Sequence, residues 1–169
     1  MEGDFLMGVI TTAYSIPPNL MRKIRADNDN LAFILEPEDE NPNWKVEDYD
    51  FDKAIEELIS FLQEFGYKKT AEKINCETYF YSDSKNYLDY DGYDIWIIPP
   101  SQVKSMFDEL KNATLSELKK KGVANEMHDR RGSRIPENFY ESYFMDIVNL
   151  KNFLKKVAGQ GNYLLFTEA

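Results

Sequence analysis

Cys76 and His128 are the only cysteine and the only histidine in the 169 residues, so a Cys–His nucleophilic pair would have to be these two. Their surroundings point elsewhere. Cys76 lies between a short helical stretch and an apolar run, where a small buried hydrophobe is the ordinary role. His128 is followed by Asp129, Arg130 and Arg131 in a polar connection, where an imidazole is solvated. The G-x-S-x-G elbow, the Walker A loop and the G-x-G-x-x-G turn are all missing. No catalytic set is expected. Asp89, Asp91 and Asp94 with Gly92 form DYDGYD, a fragment of a calcium loop. An EF-hand also needs a glutamate at its twelfth position, which here is Pro100, so these aspartates read as turn residues beside a strand. Zinc has still less support, with one cysteine and one histidine to ligate it. Neither a metal nor a cofactor is expected.

Binding chemistry is better represented. Between residues 79 and 96 stand Tyr79, Phe80, Tyr81, Tyr87, Tyr90, Tyr93 and Trp96, interleaved with Asp83, Asp89, Asp91 and Asp94. Tyrosine supplies large contact area at low entropic cost, which suits a binding surface. About half of these aromatics are expected to face a sheet core. Tyr87 and Tyr90, in the polar connection beside Asp89 and Asp91, are the surface candidates. The aspartates disfavour stacking on nucleic-acid bases.

The formal net charge is −10, which excludes general nucleic-acid binding. The charge is uneven along the chain. The first hundred residues hold 21 acids and nine basic residues, a net of −12; the remainder holds nine acids and eleven basic residues, a net of +2. Two basic clusters, Lys119–Lys121 and Arg130, Arg131 and Arg134, could meet a phosphate-bearing ligand or the acidic half of the same domain.

These residues must be positioned by a modest set of elements. MGVITTAY (7–14) has the β-branched, aromatic make-up of a strand, and Pro17-Pro18 opens a helix ending near Asn28 or Asn30. EPEDENPNWKVEDYDFD, with eight acids and two prolines, is expected to be an exposed loop. Phe51, Ala54, Ile55, Leu58, Leu62 and Phe65 share a helical face, capped by Asp50 or Asp52 and stopped by Gly66. One or two more helical turns over 68–74, a strand over Thr78–Tyr81, a tight turn at Asp91-Gly92 and a strand over Tyr93–Ile98 follow. Pro99-Pro100 opens a helix through Leu110. Thr114 and Glu117 have capping-box spacing for a shorter helix ending at Gly122. The longest helix starts at Pro136, carries Tyr140, Phe144, Ile147, Leu150, Leu154 and Val157 on one face, and is stopped by Gly159 before a strand over Tyr163–Phe166. The expected fold is one α+β domain: a small mixed or antiparallel sheet packed with helices, its terminal strands neighbours.

An MGVI opening strand, Asp50-x-Asp52-Lys53 at a helix start, Ile98–Phe107 running from strand through proline into helix, and a long aromatic helix closing with GQGNYLLF together resemble the YfbM-like family of small bacterial proteins. The resemblance spans Met7 to Phe166, leaves residues 1–6 as an N-terminal extension, and makes 7–169 one domain. It implies an α+β fold and a bacterial cytosolic setting, and carries no activity with it. The family commonly places a tryptophan and, four residues later, a histidine after this Asp-x-Asp-Lys. Ile55 and Ile59 stand there instead, so chemistry needing that histidine is absent from this chain.

No stretch reaches the ~18 apolar residues of a spanning helix, and the acidic N-terminus lacks the basic region of a secretory signal. A single cysteine fits a reducing cytoplasm. The first functional expectation is therefore a non-catalytic cytoplasmic binding or accessory protein of immunity or inhibitor type. Its acidic, tyrosine-rich surface would meet a protein partner, a basic one by charge complementarity. The alternative is a small-ligand-binding or hydrolase-like domain with a pocket near His128, Arg130 and Arg131.

Overall fold

A computed structural model describes residues 10–36, 42–51, 55–80, 85–129 and 131–169. Among them, five strands form one fully antiparallel sheet: β1 (Thr11–Ile16), β2 (Asp48–Asp50), β3 (Tyr87–Tyr90), β4 (Tyr93–Ile98) and β5 (Tyr163–Glu168), in spatial order β2-β1-β5-β4-β3. The helices are α1 (Pro18–Ala26), α2 (Ala32–Leu35), α3 (Ile55–Glu64), α4 (Lys68–Ile74), α5 (Cys76–Phe80), α6 (Pro100–Leu110), α7 (Leu115–Asn125) and α8 (Tyr140–Gln160). This is an α+β domain in which the terminal strands are neighbours: Thr11 stands opposite Glu168, and Ile16 opposite Tyr163.

The alternation of strand side chains assigns two cores. Ala13, Trp96, Ile98, Leu164 and Phe166 face the larger one, built with α3, α4, α6, α7 and α8. Ile16, Ile95, Ile97 and Leu165 face a smaller one, closed by Leu20, Met21 and Ile24 of α1, Ile34 of α2, and Trp44. Burial on both faces explains why β4 and β5 are near-continuous apolar runs rather than alternating ones. Trp96 and Phe166, both fully buried, stack at 5.0 Å between ring centroids and join β4 to β5 on the larger face.

Both Pro-Pro steps act as expected. Pro17 and Pro99 occupy N-cap positions, and Pro18 and Pro100 begin α1 and α6, where the missing N–H has no helical partner to lose. The Thr114 hydroxyl accepts from the Glu117 N–H at 3.2 Å, so α7 starts at the capping box.

Some expectations need correction. Thr78–Tyr81 does not form a strand: Cys76–Phe80 is the helix α5, and Tyr81 lies outside the described residues. Local capping outweighs the β-propensity of this stretch. The Asn75 side chain accepts from the Glu77 N–H at 3.1 Å, and the Thr78 hydroxyl donates to the Glu72 carbonyl at 2.8 Å. The strand that pairs with β4 is instead Tyr87–Tyr90. The acidic stretch is not wholly loop, because Asp48–Asp50 pairs with the outer edge of β1 and Trp44 is buried. Asp50 is consequently a strand residue rather than a helix cap, and Asp52 and Ala54 lie outside the described residues.

Two glycines change roles. Gly159 sits inside α8, which ends at Gly161 in the left-handed conformation (φ 67°). Gly122 does not stop α7 but lies within it, buried against α8, where a β-carbon would stand 2.5 Å from Phe144 Cζ. The α7–α8 crossing thus requires a residue without a side chain. Gly122→Ala is expected to destabilise the protein by about 1–3 kcal/mol, the cost of overpacking a filled core, measured as a lower urea midpoint with an unchanged slope.

Candidate functional site

The register of the sheet produces one polar row on the face that carries the larger core. Thr11 of β1 faces Glu168 of β5, Glu168 faces Asp94 of β4, and Asp94 faces Asp89 of β3. Three carboxylates therefore stand side by side on neighbouring strands, an arrangement that weakens a sheet by like-charge repulsion. The row is partly sheltered. Asp94 and Glu168 are half-buried, Asp89 is exposed and Thr11 is fully buried. The Tyr87 hydroxyl donates to Asp94 Oδ1 at 2.5 Å, across the diagonal of the β3–β4 hairpin.

Cys76, the first residue of α5, approaches this row. One ligand-type atom from each of Cys76, Asp94 and Glu168 lies within 4.8 Å of the other two. A cavity of about 230 Å³ opens beside Cys76 and Glu168. Ile55, Ile59 and Ile74 form its apolar wall, and Glu56, Asn75 and Glu77 add polar groups.

Burial pushes the Cys76 thiol up to about 12, aided by the charge of Glu168, to which it hydrogen-bonds, and by Asp94 and Glu77. The Glu168 carboxyl is raised above 4.5 by burial. A hydrogen bond from the Cys76 thiol and the nearby Thr11 hydroxyl oppose that rise, while the charges of Asp94 and Glu77 add to it. A thiol so placed stays protonated at neutral pH and is a poor nucleophile.

The residues singled out from the sequence fall at three places. Tyr87 and Tyr90 lie on the edge strand β3 with Asp89 between them. Tyr87 packs on the larger core and its hydroxyl is committed to Asp94, so it belongs to the polar row. Tyr90 sits at the rim of the smaller core. Its hydroxyl is raised by desolvation and then by the carboxylates of Asp29, Asp91, Glu36 and Asp27. Asp91 (φ 50°) and Gly92 (φ 84°) make the two-residue hairpin turn, in which both central residues need positive φ.

His128 and Arg131 are exposed on a second small hairpin, bridged from His128 to Arg134 and pinned by Asp129, whose Oδ1 accepts from the backbone N–H of Arg131 and Ser133. Arg130 lies outside the described residues. His128 and Arg131 do not line the cavity at Cys76.

The profile of DUF1877, a domain of unknown function, matches residues 7–167. The chain belongs to this family. A solved structure titled as a protein of unknown function, YfbM from Escherichia coli, has the same fold. It is 18% identical, covers 95% of this chain and 99% of its own, and superposes with a TM-score of 0.54. No curated protein matches the chain. Among the described residues of this family member, no helix is long and apolar enough to cross a membrane.

Asp94 stands out in the sequence, but Glu168 and Thr11 could not be singled out by spacing, because only the β1–β5–β4 register aligns them with it. In metal-chelating buffer at pH 8, alkylation of Cys76 is expected to run at least about a hundredfold slower than that of free cysteine, as a scarce thiolate requires. A rate near that of free cysteine, followed by mass spectrometry, would contradict this description of the thiol.

Proposed function

We propose that this protein is a non-catalytic binding protein that docks a basic protein partner on the sheet edge around Tyr90, in the manner of an immunity protein or inhibitor. The reading rests on the position of Tyr90 on the edge strand β3, near acids from two stretches of chain: Asp27, Asp29 and Glu36 from one and Asp91 of the hairpin turn from the other, whose charges raise its hydroxyl. Tyr90 lies on β3, the last strand in the sheet order, and neighbouring Asp89 is exposed. An edge strand offers backbone groups for pairing, and a surrounding negative field both speeds encounter with a positive partner and rejects acidic ones. The free Cys76 suits a reducing compartment such as the bacterial cytoplasm.

A photo-crosslinking amino acid placed at position 90 tests the proposal in a lysate of the native host. The expected result is a defined adduct with a basic protein, lost at 1 M salt, where the Debye length falls to about 3 Å, and lost in D27N/D29N/D91N. Adducts that survive both treatments, or none at low salt, would contradict it.

A further inference from the structure

We propose that Cys76 Sγ, one carboxylate oxygen of Asp94 and one of Glu168 bind a divalent transition cation of the zinc class at the end of the sheet. The three ligand atoms come from three elements, the start of α5 and the facing positions of β4 and β5, and already lie within 4.8 Å of one another. A tetrahedral zinc with Zn–S about 2.3 Å and Zn–O about 2.0–2.2 Å needs ligand atoms roughly 3.3–3.8 Å apart. The difference is within reach of side-chain rotation, since Asp94 and Glu168 are held side by side by their backbone register.

A second observation points to the same place. Thr11 is fully buried, its hydroxyl makes no hydrogen bond of acceptable geometry, and it lies opposite Glu168, close enough to help stabilise that carboxylate. A buried hydroxyl left in this state beside a carboxylate is the kind of group that an ordered ligand shell completes. The cavity of about 230 Å³ reaches Cys76 and Glu168 and leaves room for a water as fourth ligand.

The donor set selects the ion. A thiolate is a soft ligand that calcium and magnesium do not favour, whereas zinc accepts sulfur and carboxylate together. On binding, the metal–sulfur bond forms and the thiol proton passes to solvent. The adjacent carboxylates that keep the proton on sulfur in the cation-free protein then neutralise the metal. Cys76 and His128 alone could never have made this site; the sheet supplies the two oxygen ligands. The proposal is independent of the partner surface at Tyr90, and either can fail without the other.

Cobalt(II) titration of the full chain, stripped with chelator, is the test. Cys76 is the only cysteine, so a thiolate-to-cobalt charge-transfer band in the near ultraviolet reports this residue alone. The band is expected to saturate at one equivalent, to be displaced by zinc, and to vanish in Cys76→Ser. In Glu168→Gln the cobalt affinity should fall at least about tenfold. Asp89→Asn, in the same row but outside the cluster, should bind as the parent does. Circular dichroism confirms that each variant is folded. Absence of the band in the parent protein, or cobalt affinity unchanged in a folded Glu168→Gln, would overturn the proposal.

Discussion

The pairing of β5 with β1 on one side and β4 on the other is the contact on which the rest of the structure depends. It joins Thr11 to Glu168 and Asp94 to Glu168, so residues from both ends of the chain meet in the middle of the sheet. Most strand pairs in small α+β proteins are closed by short turns; this one cannot form until nearly the whole chain has been gathered. Once formed, its alternation directs Leu164 and Phe166 to the larger core and Leu165 to the smaller one. The long helix α8 leads directly into β5 through Gly161, so its buried face, from Tyr140 to Val157, is delivered onto the sheet by the same connection.

That pairing also creates the polar row. A register that buries Leu164 and Phe166 must place Glu168 on the same face, because side chains two residues apart share a side. The row Thr11–Glu168–Asp94–Asp89 follows from the core packing and opposes it electrostatically. Asp94 is offset by the Tyr87 hydroxyl and Glu168 by the Cys76 thiol and Thr11 hydroxyl, yet the carboxylates remain neighbours. Two separate surfaces result: an acidic edge around Tyr90 on the side of the smaller core, and a thiol–carboxylate cluster with its cavity on the side of the larger one.

Much of this fold is legible in the sequence where one periodicity dominates. The face of α8, the apolar runs of β4 and β5 and the two Pro-Pro helix starts all follow from local pattern. Elements decided by tertiary partners do not. Asp48–Asp50 is polar and becomes a strand only because β1 has a free edge. Thr78–Phe80 has strand composition and becomes helix because Asn75 caps it and Tyr79 finds Trp96 to stack on. Gly122 has the form of a helix stop and is instead a contact with Phe144. The candidate site was legible only as separate residues. Tyr87, Asp89 and Asp94 stand out in sequence, while Glu168 and Thr11 are unremarkable until β5 lies between β1 and β4.

If the polar row serves binding rather than the fold, its charges must cost the cation-free protein stability. Urea unfolding of Glu168→Gln against the parent protein, both in chelator at pH 7, measures this directly. The amide keeps the shape and hydrogen-bond acceptor of Glu168 while removing the charge beside Asp94. The account predicts a gain of about 0.2–1 kcal/mol, the scale of a like-charge cross-strand pair. A loss of stability would show that the Glu168 carboxylate holds the sheet together, and would contradict the row as a site kept for a ligand.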